Sequence, residues 1–109
     1  MCGIAGAVAG SGFPFSKAAL QAMTDCLAHR GPDADGQWIE DGVFFGQRRL
    51  SILDLSEAGH QPMLSHNGRF VITFNGEIYN HLSLRAELET QGVINWRGHS
   101  DTETLIEAL

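Results

Sequence analysis

Short apolar stretches, separated by glycine, proline and Asp-Gly or Asn-Gly pairs, run through all 109 residues of this chain. None of them approaches the roughly 18 apolar residues that a membrane-spanning helix needs, so the pattern excludes a membrane-spanning protein. The length suits one domain or part of one. Strands come first, helices are interleaved with them and most connections are short, which predicts an α+β fold with antiparallel sheet.

The first half of the sequence predicts several short strands around one helix. The strands are expected at 4–8, 36–40, 43–46 and 49–52. Asp41-Gly42 is typical of a hairpin turn between two of them. Ser16 is expected to cap a helix over 17–28. Gly31 suits the left-handed conformation that ends many helices, and the proline after it cannot continue one.

The second half begins with a loop rich in turn formers over 53–68. A compact strand is expected over 70–74, where β-branched and aromatic residues cluster, and Asn75-Gly76 would end it in a tight turn. Asn80 is expected to cap a helix over 80–91, with Gly92 as its C-terminal stop.

Charged residues give more detail about the two C-terminal helices. Arg85 and Glu89 lie at i, i+4, which predicts an ion pair on the outer face of the helix over 80–91. Ser100 and Glu103 have the spacing of a capping box, which predicts the start of a third helix. The helical pattern is still running at Leu109, so we expect the chain to be the front part of a longer protein.

Charge and cysteine content narrow the functional class. Seven basic residues against 13 acidic residues give a net charge of −6, which argues against a nucleic-acid surface and offers no basic segment to an anionic membrane. Two cysteines cannot form a disulfide framework, and the N-terminus lacks the basic and apolar regions of a secretory signal. These features predict a cytoplasmic protein.

Cys2 is the residue that says most about function. Removal of Met1 before a small residue would leave Cys2 with a free α-amine and a thiol in one residue. Both groups titrate within about two pH units of neutrality, so the amine can act as the base that generates a nucleophilic thiolate. The alternative is a small buried hydrophobic residue at the start of a strand.

Other polar residues fall at strand ends and at a helix start, where a rigid scaffold can hold them. They are Arg49, the Asn75-Gly76-Glu77 turn and Asp101. Each has a simpler interpretation: a surface charge for Arg49 and Glu77, a hairpin turn for Asn75-Gly76, and helix-dipole stabilisation for Asp101.

Cys26 and His29 could share a metal ion, but only two ligands are evident where a structural zinc needs four. Cys26 is therefore expected to be a core residue, and no metal site is predicted.

Six motifs occur in order along the chain: Cys2-Gly3-Ile4-Ala5-Gly6, His29-Arg30-Gly31-Pro32-Asp33, Arg49-Leu50-Ser51-Ile52, Gly59-His60-Gln61-Pro62-Met63, Phe74-Asn75-Gly76-Glu77-Ile78-Tyr79-Asn80 and Ser100-Asp101-Thr102-Glu103. Together they resemble the glutaminase domain of glutamine-hydrolysing asparagine synthetase, which is a class II glutamine amidotransferase. The resemblance implies an N-terminal nucleophile hydrolase-like αββα sandwich of antiparallel sheets. Residues 2–109 would be the N-terminal part of that domain.

The resemblance also implies a role for each site residue. Cys2 would attack the γ-carboxamide of L-glutamine, and its own amine would act as general base and then as general acid. Asn75 and Gly76 would form the oxyanion hole, with glycine permitting close approach and an unusual φ. Arg49 would bind the α-carboxylate of the substrate, while Glu77 and Asp101 would face its ammonium group. The backbone over 50–53 would complete this pocket.

Beyond the site, the resemblance implies a two-domain protein. A C-terminal synthetase domain, absent from this sequence, would use the ammonia to amidate aspartate or a related carboxylate. ATP and magnesium would belong to that domain, and no cofactor is expected in this portion. An inactive fragment that serves as a structural or interaction module is the alternative, and a retained Met1 would favour it because it acylates the amine.

Overall fold

A three-stranded antiparallel sheet with strand order β1-β3-β2 forms the first part of the fold. Its strands are β1 (Gly3–Val8), β2 (Ala34–Glu40) and β3 (Val43–Arg49). The structure is a computed structural model that describes residues 2–10, 16–50, 57–93 and 95–109. The three predicted strands over 4–8, 36–40 and 43–46 are confirmed, each with longer bounds. The prediction that a separate strand begins at Arg49 is wrong, because Arg49 is the last residue of β3. Residues 51–52 of that predicted strand lie outside the described residues.

The hairpin between β2 and β3 turns at the predicted pair. Asp41 has a φ of 31° and Gly42 a φ of 81°. Positive φ at both central residues matches the right-handed twist of the strands on either side, which is why Asp-Gly favours this turn. The hairpin fixes the register of the sheet, in which Gly36 lies opposite Gln47 and Ala34 opposite Arg49.

Helix α1 (Lys17–Asp25) packs against one face of this sheet. The Ser16 hydroxyl accepts a hydrogen bond from the Ala19 N–H at 3.2 Å, which confirms the predicted cap. The helix ends at Asp25 rather than near residue 28. Leu20 is buried, as is Phe44 on β3, and a Cβ at Gly46 would lie 2.3 Å from the Thr24 hydroxyl oxygen. Glycine at 46 therefore lets α1 approach the sheet closely.

Glycine is required at position 31 for a different reason from the one predicted. Its φ is not left-handed, so it does not act as the expected helix cap. A Cβ at this position would lie 2.3 Å from the Arg48 carbonyl carbon and 2.4 Å from the Arg49 nitrogen. The residue is glycine because the segment after α1 lies directly against the end of β3.

The second part of the fold contains a two-stranded antiparallel sheet and two helices. The elements are a 3₁₀ helix (Glu57–Gly59), β4 (Met63–Leu64), β5 (Val71–Ile72), α2 (His81–Thr90) and α3 (Asp101–Glu107). The strand predicted over 70–74 is thus shorter than expected. The predicted loop over 53–68 includes β4, and its residues 53–56 lie outside the described residues. Met63 and Ile106 are buried in this part, where α3 packs against both strands and α2.

Arg85 corrects the prediction of an ion pair on the outer face of α2. Its guanidinium carbon lies 4.1 Å from the ring centroid of Trp96, and its nitrogens donate to the carbonyls of Gly98 (2.7 Å) and Ser100 (3.0 Å). Glu89 instead accepts a hydrogen bond from the Trp96 indole at 3.0 Å. Arg85 therefore faces the segment before α3, where several carbonyl acceptors are available to it.

The ends of α2 and the start of α3 agree with the sequence in part. Gly92 has a φ of 102°, as expected after α2, whereas the Asn80 side chain makes no capping hydrogen bond. The Ser100 hydroxyl accepts from the Glu103 N–H at 3.2 Å, which is half of the predicted capping box. The Glu103 carboxylate does not complete the box, because it accepts from the N–H groups of Arg97 (2.7 Å) and Gly98 (3.0 Å).

The sheet face opposite α1 carries an apolar surface, which we call the open face. It consists of Ile4, Val8, Trp38, Val43 and Phe45, which the strand register brings to one side. Val8 is 80% exposed and Ile4 is 47% exposed. Trp38 and Phe45 are in contact, with ring centroids 5.9 Å apart.

Gly36 joins the two parts of the fold, and we expect Gly36→Ala to destabilise the protein. A Cβ at this position would lie 1.9 Å from the Gln61 carbonyl oxygen and 2.6 Å from His60 Nε2. Overpacking against backbone costs about 1–3 kcal/mol of the free energy of unfolding, which urea denaturation would measure. Gly10→Ala is the matched control, because a Cβ there would meet nothing within 4 Å. Equal stability of the two variants would contradict the prediction.

Candidate active site

A cavity of about 390 Å³ lies where the two parts of the fold meet. Its lining consists of Cys2, Arg49, Leu50, Gly59, Gln61, Phe74, Asn75, Gly76, Glu77, Tyr79, Ser100, Asp101 and Thr102. All six residues that the sequence nominates for the site are among them. The fold thus brings together residues from the N-terminus just before β1, the end of β3, the segment after β5 and the start of α3.

Cys2 is held at the cavity by the end of β3. It is half-buried and lies immediately before β1. The Leu50 N–H donates a hydrogen bond to its Sγ at 3.3 Å, and Sγ lies 3.5 Å from the Leu50 carbonyl oxygen. The carbonyl of Cys2 accepts from Arg30 Nε at 3.3 Å. Both sulfur contacts thus come from the backbone of Leu50, the residue that follows β3.

Arg49 is the last residue of β3 and is half-buried. Its carbonyl accepts a hydrogen bond from the Asp33 N–H at 3.0 Å, and its backbone pairs with Ala34 on β2. Side chains alternate along a strand, so Arg49 shares a face with Gln47 and lies opposite the face that α1 covers. This alternation puts a guanidinium in the cavity that Cys2 lines.

Asn75, Gly76 and Glu77 follow β5 and are exposed at the cavity. They do not form a hairpin, because α2 follows them in the chain instead of a paired strand. The unusual φ predicted for Gly76 is wrong: its φ is not left-handed. A Cβ at Gly76 would lie 2.8 Å from Cζ of the Phe74 ring, so any larger residue would require this ring to shift.

Asp101 is the first residue of α3 and is buried. Its Oδ2 accepts a hydrogen bond from the Ile78 N–H at 2.8 Å, which ties the helix start to the segment that carries Glu77. The cavity therefore combines a thiol, one guanidinium and two carboxylates. A cation and two anions in one cavity suit the carboxylate and ammonium groups of an amino acid.

Sequence reasoning gave no role to several cavity residues. Gln61, Tyr79 and Thr102 belong to three of the six motifs, and this membership is the only sequence signal that could have identified them. Nothing in their spacing indicates that they line the cavity. The backbone expected to complete the pocket is described only at Leu50, because residues 51–53 lie outside the described residues.

Cys26 is exposed, which makes the expectation of a core residue wrong. It directly follows the last residue of α1, which ends earlier than predicted and leaves this position in a turn. In the described parts of the chain, no group of three or more His, Cys, Asp or Glu side chains could hold a metal ion. Across the same residues, no helix is both long and apolar enough to cross a membrane.

Comparison with known families agrees with this arrangement. The sequence model of the family described as "Glutamine amidotransferase domain" matches residues 1–109. The chain belongs to this family. The glutamine amidotransferase resemblance of its six motifs is thereby confirmed.

Curated relatives of this glutamine amidotransferase domain include two asparagine synthetases. "Asparagine synthetase [glutamine-hydrolyzing] 1" of Bacillus subtilis is 46% identical over 87 residues, which cover 80% of this chain and 13% of the relative. "Asparagine synthetase [glutamine-hydrolyzing] 3" of the same organism is 40% identical over 116 residues, covering 99% of this chain and 18% of the relative. "Amidase chry2" of Gibberella zeae is 40% identical over 89 residues, or 80% of this chain and 13% of the relative. The chain thus spans less than a fifth of each relative.

Proposed function

We propose that this domain hydrolyses L-glutamine to glutamate and ammonia through a thioester on Cys2. The observation that carries the proposal is the single cavity that Cys2 shares with Arg49, Asn75-Gly76, Glu77 and Asp101. A nucleophile, backbone and side-chain N–H donors and opposite charges for an amino-acid head are the parts that this reaction needs.

In the proposed reaction, Met1 has been removed and the amine of Cys2 accepts the proton of the thiol. The thiolate attacks the γ-carboxamide carbon, and the oxyanion that forms would accept hydrogen bonds from the Asn75 side-chain amide and the Gly76 N–H. The protonated amine then donates its proton to the departing nitrogen, which leaves as ammonia. Water attacks the γ-glutamyl thioester, which releases glutamate and restores the thiol.

Substrate recognition would depend on the charges of the cavity. We assign the α-carboxylate of glutamine to the guanidinium of Arg49, whose planar fork can donate two parallel hydrogen bonds. The α-ammonium group would lie between Glu77 and Asp101. Because Oδ2 of Asp101 accepts from Ile78, we assign Oδ1 to the ammonium group. The negative pair and the positive residue would orient the substrate with its amide toward Cys2.

The open face supports a larger fold around this site. Val8 on this apolar sheet surface is 80% exposed, so packing against another layer would stabilise the fold by burying apolar area. We propose that a second antiparallel sheet covers it in the intact protein, which would give the αββα sandwich of N-terminal nucleophile hydrolases. Because the relatives are much longer than this chain, we also propose that a C-terminal synthetase domain follows. That domain would use ATP and magnesium to make asparagine, or a related amide, from the released ammonia.

The test of the proposed hydrolysis is product release from L-glutamine by the intact protein, after mass spectrometry has verified that Met1 is absent. We expect glutamate and ammonia in equal amounts from L-glutamine and no turnover of D-glutamine, whose head group cannot meet Arg49 and Asp101 together. A trimmed N-terminus without glutamate release would reject the proposal and favour the non-catalytic module.

Arg49→Lys provides a test of substrate recognition. Lysine keeps the charge but loses the bidentate geometry, so we expect the KM for glutamine to rise about 10-fold or more with a smaller change in kcat. Arg48→Lys is the matched control, since Arg48 precedes it on β3 and donates to the Gly31 carbonyl at 2.9 Å, away from the cavity. Steady-state kinetics would measure both variants. An unchanged KM in Arg49→Lys would remove Arg49 from the substrate site.

A further inference from the structure

Two glutamine side chains connect three segments at the cavity, which are β3, the segment after β5 and the start of α3. Oε1 of Gln61 accepts hydrogen bonds from the Phe74 N–H at 2.6 Å and from Gln47 Nε2 at 2.8 Å. Gln61 Nε2 donates to the Thr102 hydroxyl at 3.1 Å. Gln47 Nε2 also donates to the Phe74 carbonyl at 3.2 Å. The peptide groups of Phe74 are therefore held on both their donor and acceptor sides.

The orientation of both amides follows from the backbone. The Phe74 N–H can only donate, so the atom of Gln61 next to it must be the oxygen. The second partner of this Gln61 oxygen must be a donor, so the atom of Gln47 that contacts it is the nitrogen. The nitrogen of Gln61 then faces Thr102. A directional network of this kind allows one arrangement of the three segments, unlike an apolar contact.

Gln47 anchors this network in the sheet. It lies in the middle of the three-stranded sheet on β3, and its side chain is 1% exposed. Three residues later, the Leu50 N–H of the same chain segment donates to Cys2 Sγ. Gly36 lies beside it on β2 and leaves room for the Gln61 backbone. The contact to Phe74 thus comes from β3, and the contact to the nucleophile comes from the residue that directly follows it.

We propose that Gln47 and Gln61 are positioning residues that hold Asn75 and Gly76 at the correct distance from Cys2. Phe74 immediately precedes the two residues assigned to the oxyanion hole, so fixing its peptide groups fixes the start of that segment. The bond from Gln61 to Thr102 sets the start of α3, and with it Asp101, in the same frame. This inference rests on the proposed glutamine hydrolysis.

Gln47→Met and Gln61→Met are the first variants to test. Methionine has a similar length but no amide, so Gln47→Met removes the bond to the Phe74 carbonyl and Gln61→Met removes the bond to the Phe74 N–H. A displacement of about 1 Å at a reacting group lowers turnover by up to about 100-fold, so we expect kcat to fall roughly 10- to 100-fold. For Gln47→Met we expect the KM for glutamine to stay within about twofold, because the Gln47 amide donates to Gln61 and Phe74, neither of which is assigned to the head group.

Two further variants separate positioning from general damage. Gln61→Glu keeps the oxygen that accepts from Phe74 and should retain more of the parent kcat than Gln61→Met. Thr102→Val removes only the link to α3, so we expect it to raise the KM for glutamine more than it lowers kcat. If Gln61→Met does not fold, Gln47→Met and Thr102→Val still decide the question.

Gln37→Met is the matched control. Gln37 lies on the same sheet as Gln47, and its Nε2 donates to Gln21 Oε1 at 2.8 Å. Gln37→Met therefore also removes a hydrogen bond between two glutamine side chains. The bond lies on the α1 side of the sheet, outside the cavity. We expect its kcat and KM to equal those of the parent protein.

Hydrogen–deuterium exchange of the intact protein gives a readout that does not depend on turnover. Loss of a hydrogen bond to Phe74 should speed amide exchange in the peptide over 73–79 in Gln47→Met and in Gln61→Met. Exchange in this peptide should not change in Gln37→Met. Parent kcat in both methionine variants would overturn the inference while glutamine hydrolysis stands. A parent protein that releases no glutamate would instead reject the proposed function and, with it, this role for the two glutamines, whatever the exchange shows.

Discussion

Replacing Cys2 by serine is expected to lower kcat for glutamine hydrolysis by at least about 10³-fold, as loss of a catalytic nucleophile does in other hydrolases. A serine hydroxyl at this position would meet the same Leu50 N–H, but it is a much weaker nucleophile than a thiolate at neutral pH. The measurement is glutamate release by the intact protein, together with the intact mass after incubation with a diazo ketone analogue of glutamine. The parent should gain one adduct and Cys2→Ser none.

Cys26→Ser is the control for that experiment. Cys26 is the other thiol of the chain, it is exposed and it does not line the cavity. We expect this variant to keep parent activity and to form the adduct. An adduct that persists in Cys2→Ser and disappears in Cys26→Ser would show that the reagent labels an accessible thiol instead of a glutaminase site.

Glu103→Ala is expected to reduce the free energy of unfolding by about 1–3 kcal/mol, because it leaves the part-buried N–H groups and cations around this buried carboxylate without their acceptor. Glu103 is fully buried and accepts from the N–H groups of Arg97 and Gly98. Its oxygens also lie 3.9 Å from Arg85 and 3.4 Å from His66. Chemical denaturation would measure the loss, which is a large fraction of the total stability of a typical domain.

Glu87→Ala is the control for that loss. Glu87 lies on the exposed side of α2, where substitutions usually change stability by less than about 0.5 kcal/mol. If both variants unfold at the same denaturant concentration, Glu103 does not stabilise the segment before α3. A loss only in Glu103→Ala would show that this segment depends on a buried carboxylate.

The sequence predicts well the features that depend on a few neighbouring residues. Ser16 caps α1 and Asp41-Gly42 turns the first hairpin, because each requires only local hydrogen bonds or a local φ. Gly31 and Gly76 were attributed to an unusual backbone conformation, and both interpretations are wrong. Gly31 is glycine because the backbone of Arg48 and Arg49 fills the space of a Cβ. At Gly76 the end of the Phe74 ring lies in that space, and only the three-dimensional structure shows these contacts.

The site was identified by motifs and not by physical reasoning on the spacing of its residues. Cys2, Arg49 and Asp101 are widely separated in sequence, and no periodicity indicates that they meet. Arg85 illustrates the same limit: its i, i+4 partner was local, but carbonyl acceptors before α3 and the Trp96 ring attract it instead. Contacts between elements outweigh local pairs of exposed charges, which contribute only about 0.3–0.5 kcal/mol.

The polar junction between the two halves has a consequence for redesign of the domain. Each half has its own apolar cluster, with Leu20 and Phe44 in one and Met63 and Ile106 in the other. Repacking either cluster alters stability without touching the amides that meet at Phe74. The halves instead meet where the Gln47 amide donates to Gln61 and to the Phe74 carbonyl, while Thr102 accepts from Gln61 within the second half. Transplanting this active site onto another scaffold therefore requires those three side chains as well as the residues that contact substrate.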